Sequence, residues 1–213
     1  MTAEPSPSLM TDEHRVLVLD ASAAINILGS GRPLDLLRAL DRQILIEETA
    51  LREVKRDPVT GQPADGVIQS LTSMGALQVT TMSGPTFNDF LGMVGAHPPD
   101  DLGDGEAATI AYAIEIGAVA VIDDKKAIRI ASQKNPLVPV LQSFDLFVSE
   151  LLRHQLGEVA VSDLLYSALK HARMRVPKSH HAWTIELLGE DRAINCPSLI
   201  SVEKAVTLAK TAT

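Results

Sequence analysis

Short, unbroken apolar runs alternate along the first two thirds of the chain with segments whose apolar residues recur every three or four positions. "RVLVLD" is the first such run and ends at Asp20, the pattern of a strand covered on both faces. "ASAAINILGSG" predicts a short helix stopped by glycines, and Pro33 opens "PLDLLRALDR", whose leucines fall at helical spacing. "QILI" is a second strand. "EETALREVKRD" after it predicts a helix with Leu51 and Val54 on one side and Glu53 beside them. The loop-forming "DPVTGQPADG" gives way to a helix in "VIQSLTSMG" and a third strand in "ALQVTTM". "TFNDFLGMV" is helical, "GAHPPDDLG" rich in turns, and "DGEAATIAYAIEIG" a helix stopped at Gly117. "AVAVID" is the fourth strand, "DKKAIRIASQK" a helix, and "LVPVL" a fifth strand shortened by its internal proline. From Phe144 onward the pattern is helical, in "FDLFVSELLRHQ", "VSDLLYSALKHARM", "HHAWTIELLG" and "SVEKAVTLAK".

Strands separated by helices require crossover connections, which predicts an α/β fold: a mainly parallel five-stranded sheet with helices on both faces. Residues 1–14 read as a flexible lead, 15–156 as the sheet domain, and 157–213 as a helical tail packed on that same domain. In such a sheet, ligands gather beyond the carboxyl ends of the strands. Asp20 and the pair Asp123 and Asp124 stand at two of those ends.

A length of 213 residues with 46% hydrophobic and 22% charged content suits one compact domain. No apolar run reaches the roughly 18 to 20 residues of a membrane span, and "MTAEPSPSLMTDEHR" lacks the basic and apolar regions of a secretory signal. A cytoplasmic protein without membrane association is expected. The single cysteine, Cys196, allows no internal disulfide and no cysteine-based zinc site, and reads as a small buried hydrophobe. A formal charge of −8 excludes a general positive field for coating nucleic acid, so any polynucleotide needs a local basic path or a metal bridge.

Four elements each deliver an acid: Asp20 after the first strand, Glu53 on a helix, Glu106 at a helix start, and Asp124 beside Asp123 after the fourth strand. Each has an ordinary explanation. Asp20, Asp104 or Asp124 can cap a helix, Glu106 suits the dipole of a first helical turn, and Glu53 among Arg52, Lys55 and Arg56 suits a solvated face. Convergence of all four would be costly, because gathered carboxylates raise one another's pKa, and a bound cation reverses that cost. Oxygen ligands without a cysteine or histidine set select Mg²⁺ or Mn²⁺, and the chemistry such a site serves is phosphodiester hydrolysis.

With these motifs in place, the chain resembles the PIN-domain family, in particular its branch with a glycine-glutamate third motif. "VLVLDASAAINIL" is similar to the family's opening strand and acid, "ALREV" to its glutamate helix, "LGDGEAATIAYA" to its third acidic helix start, and "VIDDKKAIRIA" to its fourth motif. The likeness runs from Val16 to Leu156. It implies a three-layer α/β/α sandwich with a C-terminal helical extension, and a Mg²⁺- or Mn²⁺-dependent nuclease, most often a ribonuclease. It also implies a VapC-like toxin paired with a small antitoxin protein, and a homodimer. By position, Asp20, Glu53, Glu106 and Asp124 would form the catalytic quartet, with Asp20, Glu106, Asp124 and Asp123 on the metal. Ser22 matches a small hydroxyl beside the first acid, and most of the family has aspartate where this chain has Glu106, so Asp104 is a possible substitute.

Lys125, Lys126 and Arg129, directly after the fourth acid, are placed to steer a phosphate. The basic "KHARMRVPKSHH", residues 170–181, offers an RNA path, though a charged turn between tail helices explains it more simply. His180 and His181 are adjacent and make a poor chelate, Trp183 reads as packing, and 3% aromatics leaves little for base stacking. Alternatives to the ribonuclease are a nuclease for single-stranded or flap DNA, an RNA-processing enzyme, and an inactive interaction module.

Overall fold

A computed structural model describes residues 8–134 and 136–199. Five parallel strands, β1 (Val16–Leu19), β2 (Gln43–Glu47), β3 (Gln78–Thr80), β4 (Val119–Val121) and β5 (Val140–Leu141), pair in the order β3-β2-β1-β4-β5. Between β1 and β2 lie α1 (Ala21–Gly29) and α2 (Pro33–Ala39), and between β2 and β3 lie α3 (Glu48–Leu51) and α4 (Asp65–Ser73). Helices α5 (Gly84–Val94) and α6 (Asp104–Ile116) precede β4, and α7 (Lys125–Lys134) leads to β5. The remainder is helical: α8 (Ser143–Phe147), α9 (Glu150–Leu156), α10 (Glu158–Ser167), α11 (His181–Leu188) and α12 (Glu190–Ala193).

Alternate strand residues feed two cores. Leu17, Leu19, Ile44, Ile46, Val119 and Val121 pack with α1, α2 and the C-terminal helices, whereas Val18, Leu45, Ala120 and Ile122 pack with α5, α6 and α7. This explains the apolar runs of β1 and β4, where side chains are buried whichever way they point, while the edge strand β3 stays largely exposed. The result is the expected three-layer α/β/α arrangement. The tail shares the first core, since Val161, Leu164, Leu165, Leu169, Met174 and Val176 are buried in it. No helix among the described residues is long and apolar enough to cross a membrane.

Several boundaries differ from the sequence expectation. The helix containing "ALREV" ends at Leu51, so Glu53 sits in the turn that follows it. The Glu53 and Val54 amides turn back to the Ala50 and Leu51 carbonyls, and the chain is drawn into a loop closed by an antiparallel bridge between Arg56 and Pro63. The fifth strand retains only Val140 and Leu141, beyond the proline that interrupts its pattern. "FDLFVSELLRHQ" splits into α8 and α9 because Ser149 accepts from the Leu152 amide and starts a new helix. α10 widens into a π-helical turn, Ala168–Ala172, and ends at Arg173 in the left-handed region with φ 55°. α12 has no counterpart in the expected pattern, and "SVEKAVTLAK" lies outside the described residues.

Candidate active site

In the order β3-β2-β1-β4-β5 the chain's progression across the sheet reverses between β1 and β4. Beyond their carboxyl ends the sheet opens into a crevice, the usual ligand site of such folds. Asp20 continues β1, its amide donating to the Val121 carbonyl of β4 at 3.0 Å. Asp123 and Asp124 follow β4 after the single residue Ile122. A cleft of about 380 Å³ lies here, lined by Asp20, Ser22, Asn26, Glu53, Glu106, Asp123 and Asp124, with residues 172–175 along one wall.

Each acid is held by a hydrogen bond that also serves the local fold. Asp20 caps α1, its Oδ1 accepting from the Ala23 amide at 2.6 Å and its Oδ2 from the Ser22 hydroxyl at 2.7 Å. Asp124 Oδ1 accepts from the amides of Lys126 and Ala127 at 2.8 and 3.0 Å, the geometry of an N-cap on α7. Glu106 reaches back to the Gly103 amide at 3.3 Å, and Glu53 Oε1 accepts from the Gly105 amide at 2.8 Å. Gly105 leaves room for that carboxylate, since a Cβ would lie 2.6 Å from Glu53 Oε1 and would displace it. Asp123 is fixed most firmly. Its Oδ1 accepts from the Ser143 amide at 2.8 Å, and its Oδ2 from the Ser143 hydroxyl at 2.6 Å and Asn26 Nδ2 at 2.7 Å. Capping and convergence are therefore compatible: the same carboxylates that start helices face one cleft.

Asp20 is 3% exposed, and burial is the main cause that raises its pKa from 3.8 to about 7. The Ala23 amide and Ser22 hydroxyl pull the other way, and repulsion from Asp123 and Glu106 adds to the rise. Glu106 is raised first by burial, then by Asp124 and Glu53, with Lys126 opposing. Burial also raises Asp123, against its bonds to Ser143 and Asn26 and with a push from Asp145. Mutual repulsion, the cause anticipated from sequence, is present but second to desolvation.

The family model DUF3368, described as a PIN domain, matches residues 16–139. The chain belongs to the PIN-domain family. PIN domains are generally nucleases and typically depend on a divalent metal. No curated protein and no solved structure matches the chain.

Within this PIN domain, all four acids of the expected quartet, and Asp123, line one cleft, as does Ser22. Asp104 is exposed and outside it. Among the described residues, no three His, Cys, Asp or Glu side chains stand close enough together to form a finished metal site. The donor chemistry nevertheless fits a hard cation: the acids offer only oxygens, and those acting on buried Asp20 raise its charging cost. Asp20, Glu106, Asp124 and Asp123, which all line the cleft, are the residues that would hold such an ion.

Lys125, Lys126 and Arg129 are not part of the cleft wall. Arg129 pairs with Asp100 at 2.7 Å and Lys126 with Asp101 at 3.6 Å, tying the loop before α6 to α7. Asn26 and Ser143 have no role in the sequence expectation, and Arg173 and Arg175 enter it only as part of the basic stretch 170–181. Asn26 was visible as a polar interruption in "AAINIL", and the arginines as the alternation "RMRV" inside the basic stretch. His180 instead stacks on Phe144 with ring centroids 5.2 Å apart, and Trp183 meets the same ring edge-on. Cys196 is free and buried.

Proposed function

We propose that this PIN domain is a Mg²⁺- or Mn²⁺-dependent endoribonuclease, the toxin of a pair whose partner is a small antitoxin protein. The observation that carries the nuclease reading is the meeting of Asp20, Glu53, Glu106, Asp123 and Asp124 in one cleft at the β1/β4 reversal. A bound dication would lower the pKa of a water and neutralise charge on the phosphate and leaving oxygen. The chain's own contribution is to hold the acids ready. Ser22 and the Ala23 amide orient the two oxygens of Asp20, while Asn26 and Ser143 hold both oxygens of Asp123. The Gly105 amide holds the exposed Glu53 carboxylate at the cleft edge.

RNA as substrate, an antitoxin and a homodimer accord with the family resemblance. The purified protein is expected to cut RNA in Mn²⁺, to lose that activity in chelator, and to leave single-stranded DNA intact. Expressed alone, it is expected to arrest growth. Equal cutting of DNA would redirect the reading to a DNA nuclease. Absence of both metal binding and cleavage would leave an interaction module.

A further inference from the structure

We propose that Arg173 and Arg175 form a phosphate clamp on the rim of the acidic cleft, holding the backbone of single-stranded RNA beside the scissile bond. The inference rests on the nuclease reading above and adds the residues that grip the substrate. Both arginines lie beyond residues 16–139, the part matched by the PIN-domain model.

Three observations converge on them. First, residues 172–175 line the same cleft as the acids, and both arginines are exposed. Among the described residues neither side chain forms a hydrogen bond or ion pair, in contrast to Lys126 and Arg129. Second, their backbone is held in place. Met174 and Val176 are 1% and 7% exposed and anchor alternate positions in the core, so Arg173 and Arg175 are turned outward together. The turn before them is pressed against α1. A Cβ on Gly29 would lie 2.5 Å from the Ala172 Cβ, and the Ser167 hydroxyl donates to the Gly29 carbonyl at 2.7 Å. Since α1 begins at the cap residue Asp20, one helix sets the position of both the first acid and the arginines.

Third, the local conformation is unusual for this residue. The π-helical turn Ala168–Ala172 ends with Arg173 at φ 55°, where glycine or asparagine is favoured as a helix terminator. A long cationic side chain kept at a mildly strained position, on the rim of a negatively charged cleft, points to a ligand that needs it. That ligand must be polyanionic and must also approach carboxylates, which describes a nucleic-acid backbone bridged to the acids by a dication. Guanidinium forks bind phosphate oxygens with two parallel hydrogen bonds.

The test uses the full chain, a fluorescein-labelled single-stranded RNA, and the variants Arg173→Gly and Arg175→Gln, singly and together. Glycine accepts the backbone conformation at 173, so that variant is expected to fold at least as well as the parent. With a nuclease-resistant phosphorothioate RNA in Mn²⁺, which keeps both the strand and the bridging dication in place, the double variant is expected to bind roughly tenfold or more weakly. The slope of log affinity against log salt should become shallower by about 0.7 for each arginine removed. In Mn²⁺, KM should rise with kcat changed less, and the Mn²⁺-induced rise in Tm should be unaltered. A double variant with parental RNA affinity and salt slope overturns the clamp while leaving the nuclease reading intact if the parent cuts RNA. A parent that neither binds nor cuts RNA overturns both. A poly-glutamate peptide that binds the parent as tightly as RNA, and is lost in the double variant, overturns the clamp in favour of an acidic protein partner.

Discussion

Asp20 combines two tasks that sequence reasoning had set against each other: it caps α1 and faces the cleft. Its ordinary pKa of 3.8 rises to about 7 in the folded state, so between those values the folded protein binds more protons than the unfolded chain. Folding stability from this group is accordingly greatest below about pH 4, falls as pH rises through that window, and is lowest above 7. The full swing is on the order of 4 kcal/mol. Metal-free protein is thus expected to show a lower Tm contribution from this site at pH 8 than at pH 5, with Mn²⁺ raising Tm more at pH 8; thermal melts with and without chelator measure it. Asp20→Asn keeps a capping side chain but removes the charge. It should cost on the order of 100-fold or more in cleavage rate, abolish most of the Mn²⁺ shift, and leave metal-free Tm at pH 8 equal or higher. The acids were legible because carboxylates at strand ends and helix starts stand out against apolar runs. Asn26 and Ser143 were not, since their role depends on Asp123 lying across the sheet, 97 and 20 residues away in sequence.

At the level of elements, two close approaches of backbone decide how the cleft is built, and each permits a separation of stability from activity. Gly105 lies near the start of α6, where alanine is the better helix former by up to about 1 kcal/mol. Its Cβ would nevertheless displace the Glu53 carboxylate. Gly105→Ala is therefore expected to melt at the same temperature or slightly higher while losing activity, a combination that differential scanning calorimetry and an RNA cleavage assay would expose together. Gly29→Ala acts oppositely. The new methyl meets the Ala172 backbone turn, and overpacking of this kind costs about 1–3 kcal/mol, readable as a lower urea midpoint. Strand and helix identities were readable from periodicity, since β1, β4 and α6 carry their pattern without interruption. The end of α3, the break between α8 and α9, and the π-helical turn were not. Those depend on the Arg56–Pro63 bridge, on which serine caps, and on how α10 docks on α1.

For the molecule as a whole, the sheet domain and the helices after it share one core, with Leu164, Leu165 and Leu169 buried beside Leu17 and Ile46. The protein is expected to unfold in a single transition in urea, and a chain ended after Leu156, stripped of that cover, to fail to fold as judged by near-ultraviolet circular dichroism. The α/β class and the layer arrangement followed from strands alternating with helices, while the reversal between β1 and β4 required knowledge of which strands pair. The cleft draws its walls from position 20 through position 175. During translation the amino-terminal part leaves the ribosome first, so a growing polypeptide has no assembled cleft until those last residues clear the exit tunnel. Synthesis thus completes the site late, since the strand-end acids emerge well before the residues 172–175 that finish its wall.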